Sequence, residues 1–318
     1  MSVFESLRLS LHANGGVLAL AGVMLFLPFL LTSDFHYRVI AVVWIFSLAV
    51  VGLNILMGHT GVVSLGHGGF VGLGAYSVAV GPVLLGIPVW LSLLVGVLLG
   101  GFLALLIGKP LLRLKGHYLA AATLGFGILV FMLFSNEVRW TGGPDGMSVK
   151  RLNLFGWEVR GAQTWYWVGA GVLLVGAWMA RNLERSPTGR ALQAIHGSEV
   201  AAAITGVDVA GYKLIAFVLS ALYATAAGAM MALMNGHVTP GIGDFLVSLQ
   251  LLTMVVLGGM GSLLGAVVGA ALLLVLPQFL TVVHDYEHAF IGLILIGCMI
   301  FLRSGIVPTL HARFRKYQ

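Results

Sequence analysis

The sequence predicts an all-α membrane protein with about eight to ten crossings of the bilayer, some of them broken by glycine or re-entrant. Of its 318 residues, 59% are hydrophobic and 9% are charged, whereas a soluble domain carries about 25% charged residues. Its 44 glycines and 12 methionines are typical of helices that pack closely in lipid. We therefore expect a single membrane domain over residues 1–318, without a soluble catalytic domain.

Ten apolar segments are candidate spans when compared with the roughly 20 residues that a crossing helix needs. In chain order they are 15–32, 39–57, 62–81, 87–108, 117–135, 165–180, 213–234, 244–257, 263–276 and 288–303. The segments 244–257 and 263–276 are each about 14 residues long, too short for a core of about 30 Å. Because Gly258-Gly259-Met260-Gly261-Ser262 separates them, they form either two short tilted spans or a broken, re-entrant pair.

The basic residues predict the orientation of the chain, because loops rich in Lys and Arg stay on the cytoplasmic side. Lys109, Arg113 and Lys115 form a cluster without acids. Counting spans from this loop places both termini and a polar segment, residues 186–208, in the cytoplasm as well. The loop 136–164 is then expected on the periplasmic side.

The polar segment 186–208 interrupts the apolar pattern, and its first half predicts a short amphipathic helix. Ser186 is a suitable N-cap, and Pro187 suits the first helical position. Leu192 and Ile195 lie three residues apart and would share one face of the helix. A segment of this kind is either a solvated interfacial helix or a surface presented to a partner.

The second half of the polar segment predicts another short helix. Ser198 can cap it, and Glu199 lies in its first turn, where the helix dipole favours an acid. Gly206 is placed to end this helix. On the preceding helix, Arg190 is expected to face outward.

Four stretches stand in a recognisable order along the chain. They are 57–76, which contains Ser64-Leu65-Gly66-His67; 114–127 together with 140–144; 186–221, which contains Ser-Pro-Thr-Gly-Arg-Ala-Leu; and 256–265, which contains Gly258-Gly259-Met260-Gly261. Together they resemble the permease subunits of ABC importers, with the best agreement for the LivM-type subunit of the branched-chain amino-acid class.

This resemblance implies the ABC importer permease fold and a place in a bacterial inner (cytoplasmic) membrane. It also implies four kinds of partner: a homologous LivH-type permease, two ATPase subunits of the LivG and LivF type, a periplasmic substrate-binding protein and the surrounding lipid. ATP and Mg²⁺ would be used by the ATPase subunits. The chain itself has no Gly-x-x-x-x-Gly-Lys-Ser/Thr phosphate loop, so we expect it not to hydrolyse ATP itself. We also expect no enzymatic activity, cofactor, metal or nucleic acid in this subunit.

A branched-chain or other non-polar amino acid is the expected substrate. Urea or a short amide is the alternative, because related importers share the same motifs. An ion-coupled secondary transporter is the competing class, but such proteins normally carry acids inside the spans. Here most acids fall in loops or at the ends of spans.

Two groups of residues are candidate functional residues. For coupling to the ATPases, they are Ser186, Pro187, Gly189, Arg190, Leu192, Ile195, Glu199 and Gly206. For the translocation path or the helix breaks, they are Ser64, Gly66, His67, Gly258, Gly259 and Gly261. His67 has two open interpretations, a functional residue within the membrane or a hydrogen-bonding residue between helices. His59 lies at the edge of a span, and we expect it at the membrane interface.

Overall fold

Helices form most of the chain in the computed structural model, which describes residues 15–154, 157–279, 292 and 305–309. In chain order the helices are α1 (Gly15–Phe26), α2 (Asp34–Thr60), α3 (His67–Val80), α4 (Val89–Leu111), α5 (His117–Asn136), α6 (Val138–Thr141), α7 (Ala162–Arg185), α8 (Pro187–Gly197), α9 (Glu199–Ile204), α10 (Val209–Asn235), α11 (Phe245–Gly258) and α12 (Leu263–Phe279). A helix occupies each of the first nine predicted spans. The tenth, 288–303, lies outside the described residues except for residue 292.

Five of the described helices have the length and apolar character to cross a membrane. They are α2, α4, α5, α10, and α3 extended by the π-helical turn Gly81–Leu85. The helices α1, α11 and α12 are apolar but shorter. This pattern confirms the predicted all-α polytopic membrane fold, including a short pair at α11 and α12.

The predicted span 62–81 differs from the structure at its beginning. Residues 61–66 are not helical, and α3 starts only at His67. Gly61 ends α2 in the left-handed region, at φ 71°, and this conformation turns the chain away from the helix axis. We call residues 61–66 the first break and residues 259–262, between α11 and α12, the second break.

Short strands join two of the connecting loops. β1 (Met147–Ser148) pairs antiparallel with β4 (His237–Val238). β2 (Asn153–Leu154) pairs in the same way with β3 (Trp157–Glu158). The first pairing brings the loop 136–164 to the loop after α10, so both lie at the same end of the helices, as the span count predicts.

The helix α10 lies at the centre of the packing, where it contacts α2, α3 and α4. Asp208 caps its first turn by accepting a hydrogen bond from the Gly211 amide at 3.1 Å, and Gly236 ends it at φ 70°. The Tyr223 hydroxyl donates to the Gly176 carbonyl on α7 at 2.7 Å. Close contact with α3 depends on Gly228, since an added Cβ there would collide with the Val71 carbonyl.

We expect Gly228→Ala to lower the thermal stability of the purified protein, because overpacking typically costs about 1–3 kcal/mol. Differential scanning fluorimetry in detergent should show a fall of several degrees, at about 2–4 °C per kcal/mol for a chain of this size class. Gly171→Ala on α7 is the matched control, because nothing lies within 4 Å of an added Cβ there. Equal melting temperatures for the two variants would contradict the close packing of α10 on α3.

Candidate functional site

The polar segment begins with the helix that its first residues predict. The Ser186 hydroxyl accepts a hydrogen bond from the Gly189 amide at 3.1 Å, and Pro187 occupies the first turn of α8. An added Cβ at Gly189 would collide with carbonyl oxygens at the end of α7. The glycine therefore allows α8 to pack directly on the end of α7.

The apolar face of α8 is turned toward the membrane domain. Leu192 and Ile195 are both buried, and α8 contacts α2, α7 and α10. These two predicted coupling residues therefore anchor the polar segment on the domain and are not part of its outer surface.

Arg190 lies on the exposed side of α8, as predicted. Its Nη1 donates a hydrogen bond to the carbonyl oxygen of Arg185 at 3.1 Å. This contact holds the guanidinium near the junction of α7 and α8. Because arginine carries five N–H donors, the side chain keeps donors for a partner.

The helix α9 exposes two large apolar side chains that the sequence reasoning missed. Val200 is 71% exposed and Ile204 is 82% exposed, and residues four apart lie on the same helix face. The Ser198 hydroxyl caps this helix by accepting from the Ala201 amide at 3.2 Å. The sequence does contain a signal for this exposed face, because two β-branched residues lie four apart in a capped helix of six residues.

Glu199 has a partner inside the chain as well as a favourable position in the first turn of α9. Its Oε1 lies 2.5 Å from Nζ of Lys213, whose side chain is buried in the first part of α10. Gly206 follows at φ 87°, and the chain turns there into α10. The ion pair thus joins the second helix of the polar segment to a central helix of the domain.

Glu184 is a second acid near the polar segment, and two basic side chains surround it. Its Oε2 lies 2.7 Å from Nη1 of Arg181, and its Oε1 lies 3.5 Å from Nε2 of His59. Only 11% of the Glu184 side chain is exposed. His59 is buried beneath the end of α7, at the edge of its span, and protein encloses it there.

His67 is enclosed at the start of α3, at 0% exposure. Its Nδ1 lies 2.8 Å from the Ser64 hydroxyl, and its Nε2 lies 2.8 Å from the Ser220 hydroxyl on α10. Because Ser220 donates its own proton to the Phe217 carbonyl, it accepts from Nε2–H of His67, and Ser64 donates to Nδ1. His67 thus makes the hydrogen bonds between helices that one interpretation expects, and a functional role for it stays a prediction.

The first break also packs against α5. The Leu65 amide donates to the Thr123 hydroxyl at 3.1 Å. An added Cβ at Gly66 would collide with the Thr123 carbonyl. Ser64, Gly66 and His67 are therefore held between α5 and α10.

The second break is a non-helical turn, as predicted. Gly258 is the last residue of α11, Gly259 has φ 115° and Gly261 has φ 76°. In the structure the turn lies against α2 of the same chain, where the Asn54 side chain accepts from the Gly261 amide at 2.8 Å and donates to the Ser262 carbonyl at 3.1 Å.

Asn54 is therefore a functional candidate that the sequence reasoning overlooked. An amide in the apolar run of α2 is the signal that could have found it, because buried polar groups need partners. Here the single side chain satisfies one donor and one acceptor of a turn more than 200 residues away in the chain.

The last part of α2 thus meets both helix breaks and the polar segment. Residues 36–299, which begin in α2, match the model of the family described as "Branched-chain amino acid transport system / permease component". The chain belongs to this family. The permease is a multi-pass membrane protein of the ABC type, and the resemblance found in its motifs is confirmed.

Several characterised permeases are similar to this one. It is 32% identical over 295 residues to the "High-affinity branched-chain amino acid transport system permease protein LivM" of Escherichia coli (strain K12), an alignment that covers 85% of this chain and 69% of that protein. It is 30% identical over 236 residues to the "Autoinducer 2 import system permease protein LsrC" of Klebsiella pneumoniae, with 70% and 65% covered. It is 26% identical over 240 residues to the "Ribose import permease protein RbsC" of Haemophilus influenzae, with 74% and 71% covered. No solved structure gives a significant match.

We expect Gly261→Leu to destabilise the permease, because a left-handed backbone costs an ordinary residue about 1–2 kcal/mol and the turn is fixed by Asn54. Met260→Leu is the matched control, since Met260 is adjacent and exposed. The yield of monodisperse protein after detergent extraction and its melting temperature should fall for Gly261→Leu alone. A variant with normal yield and stability would show that the turn does not need its observed conformation.

Proposed function

We propose that this permease is the membrane subunit of an ATP-driven importer for a branched-chain or other non-polar amino acid. The observation that carries the proposal is the polar segment itself, which is capped, anchored on the domain and exposes apolar side chains outside the spans. Exposed apolar groups of this kind are typical of surfaces that a partner covers.

The partner would be a pair of ATPase subunits, of the LivG and LivF type, on the cytoplasmic side. A LivH-type second permease and a periplasmic binding protein would complete the importer. In this arrangement both termini and the polar segment face the cytoplasm, and the loop 136–164 faces the periplasm. ATP and Mg²⁺ would act in the ATPase subunits, and this chain would contribute no enzymatic step.

The helix α9 would make the main contact. A helix of six residues is too short to be stable alone in water, and here its Ser198 cap and the Glu199–Lys213 ion pair hold it in place. Val200 and Ile204 then form an apolar projection that suits a groove on an ATPase surface. Arg190, on the neighbouring helix, would add a charged contact to an acidic or carbonyl-lined site.

The distribution of acids argues against an ion-coupled secondary transporter. In the part of the chain that the structure describes, acids occur only in loops or within two residues of a helix end. They are Asp34, Glu137, Asp145, Glu158, Glu184, Glu199, Asp208 and Asp244. Ion-coupled carriers place such groups inside the spans. The absence of internal acids from the described spans also suits a substrate with an apolar side chain.

The substrate is best tested by transport. In a strain that carries the whole importer, deletion of this subunit should abolish high-affinity uptake of radiolabelled leucine, and expression from a plasmid should restore it. Ribose and urea are the comparison substrates, because ribose is named for a relative and urea is the alternative from the motifs. Unchanged leucine uptake with loss of either comparison substrate would reverse the assignment.

Replacing the outer surface of the polar segment should uncouple the importer without unfolding it. We expect the double change Val200→Ser with Ile204→Ser, and separately Arg190→Glu, to lower uptake and binding-protein-stimulated ATP hydrolysis together, by about tenfold or more for a coupling surface. Both quantities would be measured in proteoliposomes, with membrane abundance as the folding check.

Val138→Ser is the matched control, because Val138 is similarly exposed, at 67%, but lies in the loop region at the other end of the helices. It should transport normally. If both changes in the polar segment also transport normally, the segment is a solvated linker and the proposed docking surface is wrong.

A further inference from the structure

One face of α10 carries two polar contacts to other parts of the chain. Lys213 and Ser220 lie seven residues apart, about two turns, so they share that face. Lys213 contacts the polar segment, and Ser220 contacts the start of α3. We infer that α10 transmits displacement of the polar segment to the first break, with Lys213 and His67 as positioning residues; this inference rests on the proposed function.

The contact at Lys213 joins α9 to α10 through charge. The ammonium group lies 2.5 Å from the Glu199 carboxylate while the stem of the side chain is buried. Ion pairs with one buried member are strongly orientation dependent, because the buried charge cannot exchange its partner for water at low cost. A displacement of α9 would therefore move the first turns of α10 with it.

The contact at Ser220 joins α10 to the first break. His67 bonds to Ser220 through Nε2 and to Ser64 through Nδ1, each at 2.8 Å. His67 begins α3, and Ser64 lies in the non-helical residues before it. The imidazole of His67 thus connects the continuous helix α10 to the first break, which is not helical.

The helix between these contacts is suited to transmit movement. α10 is continuous over 27 residues and contains no proline. Its Phe217 ring lies edge-to-face with His67, at 6.1 Å between centroids. The first break bends at Gly61 and contacts α5 through the Leu65–Thr123 hydrogen bond. If the contacts at Lys213 and Ser220 act on the same conformational change, their effects are not independent. A double-mutant cycle measures this dependence.

The test uses the assembled importer in proteoliposomes, with leucine-loaded binding protein and the ratio of leucine taken up to ATP hydrolysed as the readout. Lys213→Met keeps the apolar stem but removes the charge, and Ser220→Ala removes the bond to His67. Each change should lower the ratio by at least about fivefold. Because both contacts act in series, the double variant should be no worse than the more severe single one.

Exchanging the charges of Glu199 and Lys213 tests whether the ion pair itself is needed, or only the two residues at their present positions. Glu199→Lys combined with Lys213→Glu should restore the ratio to within about twofold of the wild type, although Lys213→Glu alone lowers it. The same exchange at the exposed pair Glu158 and Arg160 is the control and should have no effect. This rescue remains informative if Lys213→Met does not fold.

Three results would overturn the inference while leaving the proposed function intact: a normal ratio for Lys213→Met, multiplicative effects in the double variant, or no rescue by charge exchange. A wild-type complex without stimulated ATP hydrolysis would instead refute the proposed function, and this inference with it.

Discussion

A carboxylate that is largely removed from water must be paired, and Glu184 shows how much of this permease depends on that requirement. The acid lies two residues before Ser186, the cap of the polar segment. Arg181 pairs with it from its own helix, and His59 pairs with it from the end of α2. The pairing therefore attaches the end of α7 to the end of α2, at the point from which the polar segment projects.

The end of α2, which pairs with Glu184 through His59, also contacts both helix breaks. Asn54 holds the second break through Gly261 and Ser262, and Gly61 opens the first break. The two interruptions of the helical pattern and the proposed docking surface are thus attached to about two turns of one helix. The polar segment and both breaks therefore share one attachment on α2.

Much of this arrangement could be predicted from the sequence because it is local. Caps, breaks and spans are each determined by a few neighbouring residues. A serine before a proline predicts a cap, a glycine after an apolar run predicts a break, and the length of an apolar segment predicts a span. The burial of His59, the partner of Glu199 and the role of Asn54 depend on residues from distant parts of the chain, which spacing along one helix does not reveal. Val200 and Ile204 were overlooked because apolar residues are common throughout this sequence, and only a structure shows which of them are exposed outside the spans.

Hydrogen–deuterium exchange of α8 in the wild type and in Glu184→Gln is the most direct test of the role of this acid. If the pairing of Glu184 holds the polar segment on α2, loss of the charge should accelerate exchange of the α8 amides by about tenfold or more. The amides of α5, which does not contact this acid, should exchange at the wild-type rate. Unchanged exchange of α8 in Glu184→Gln would show that other contacts hold the polar segment, and would contradict a central role for the buried carboxylate.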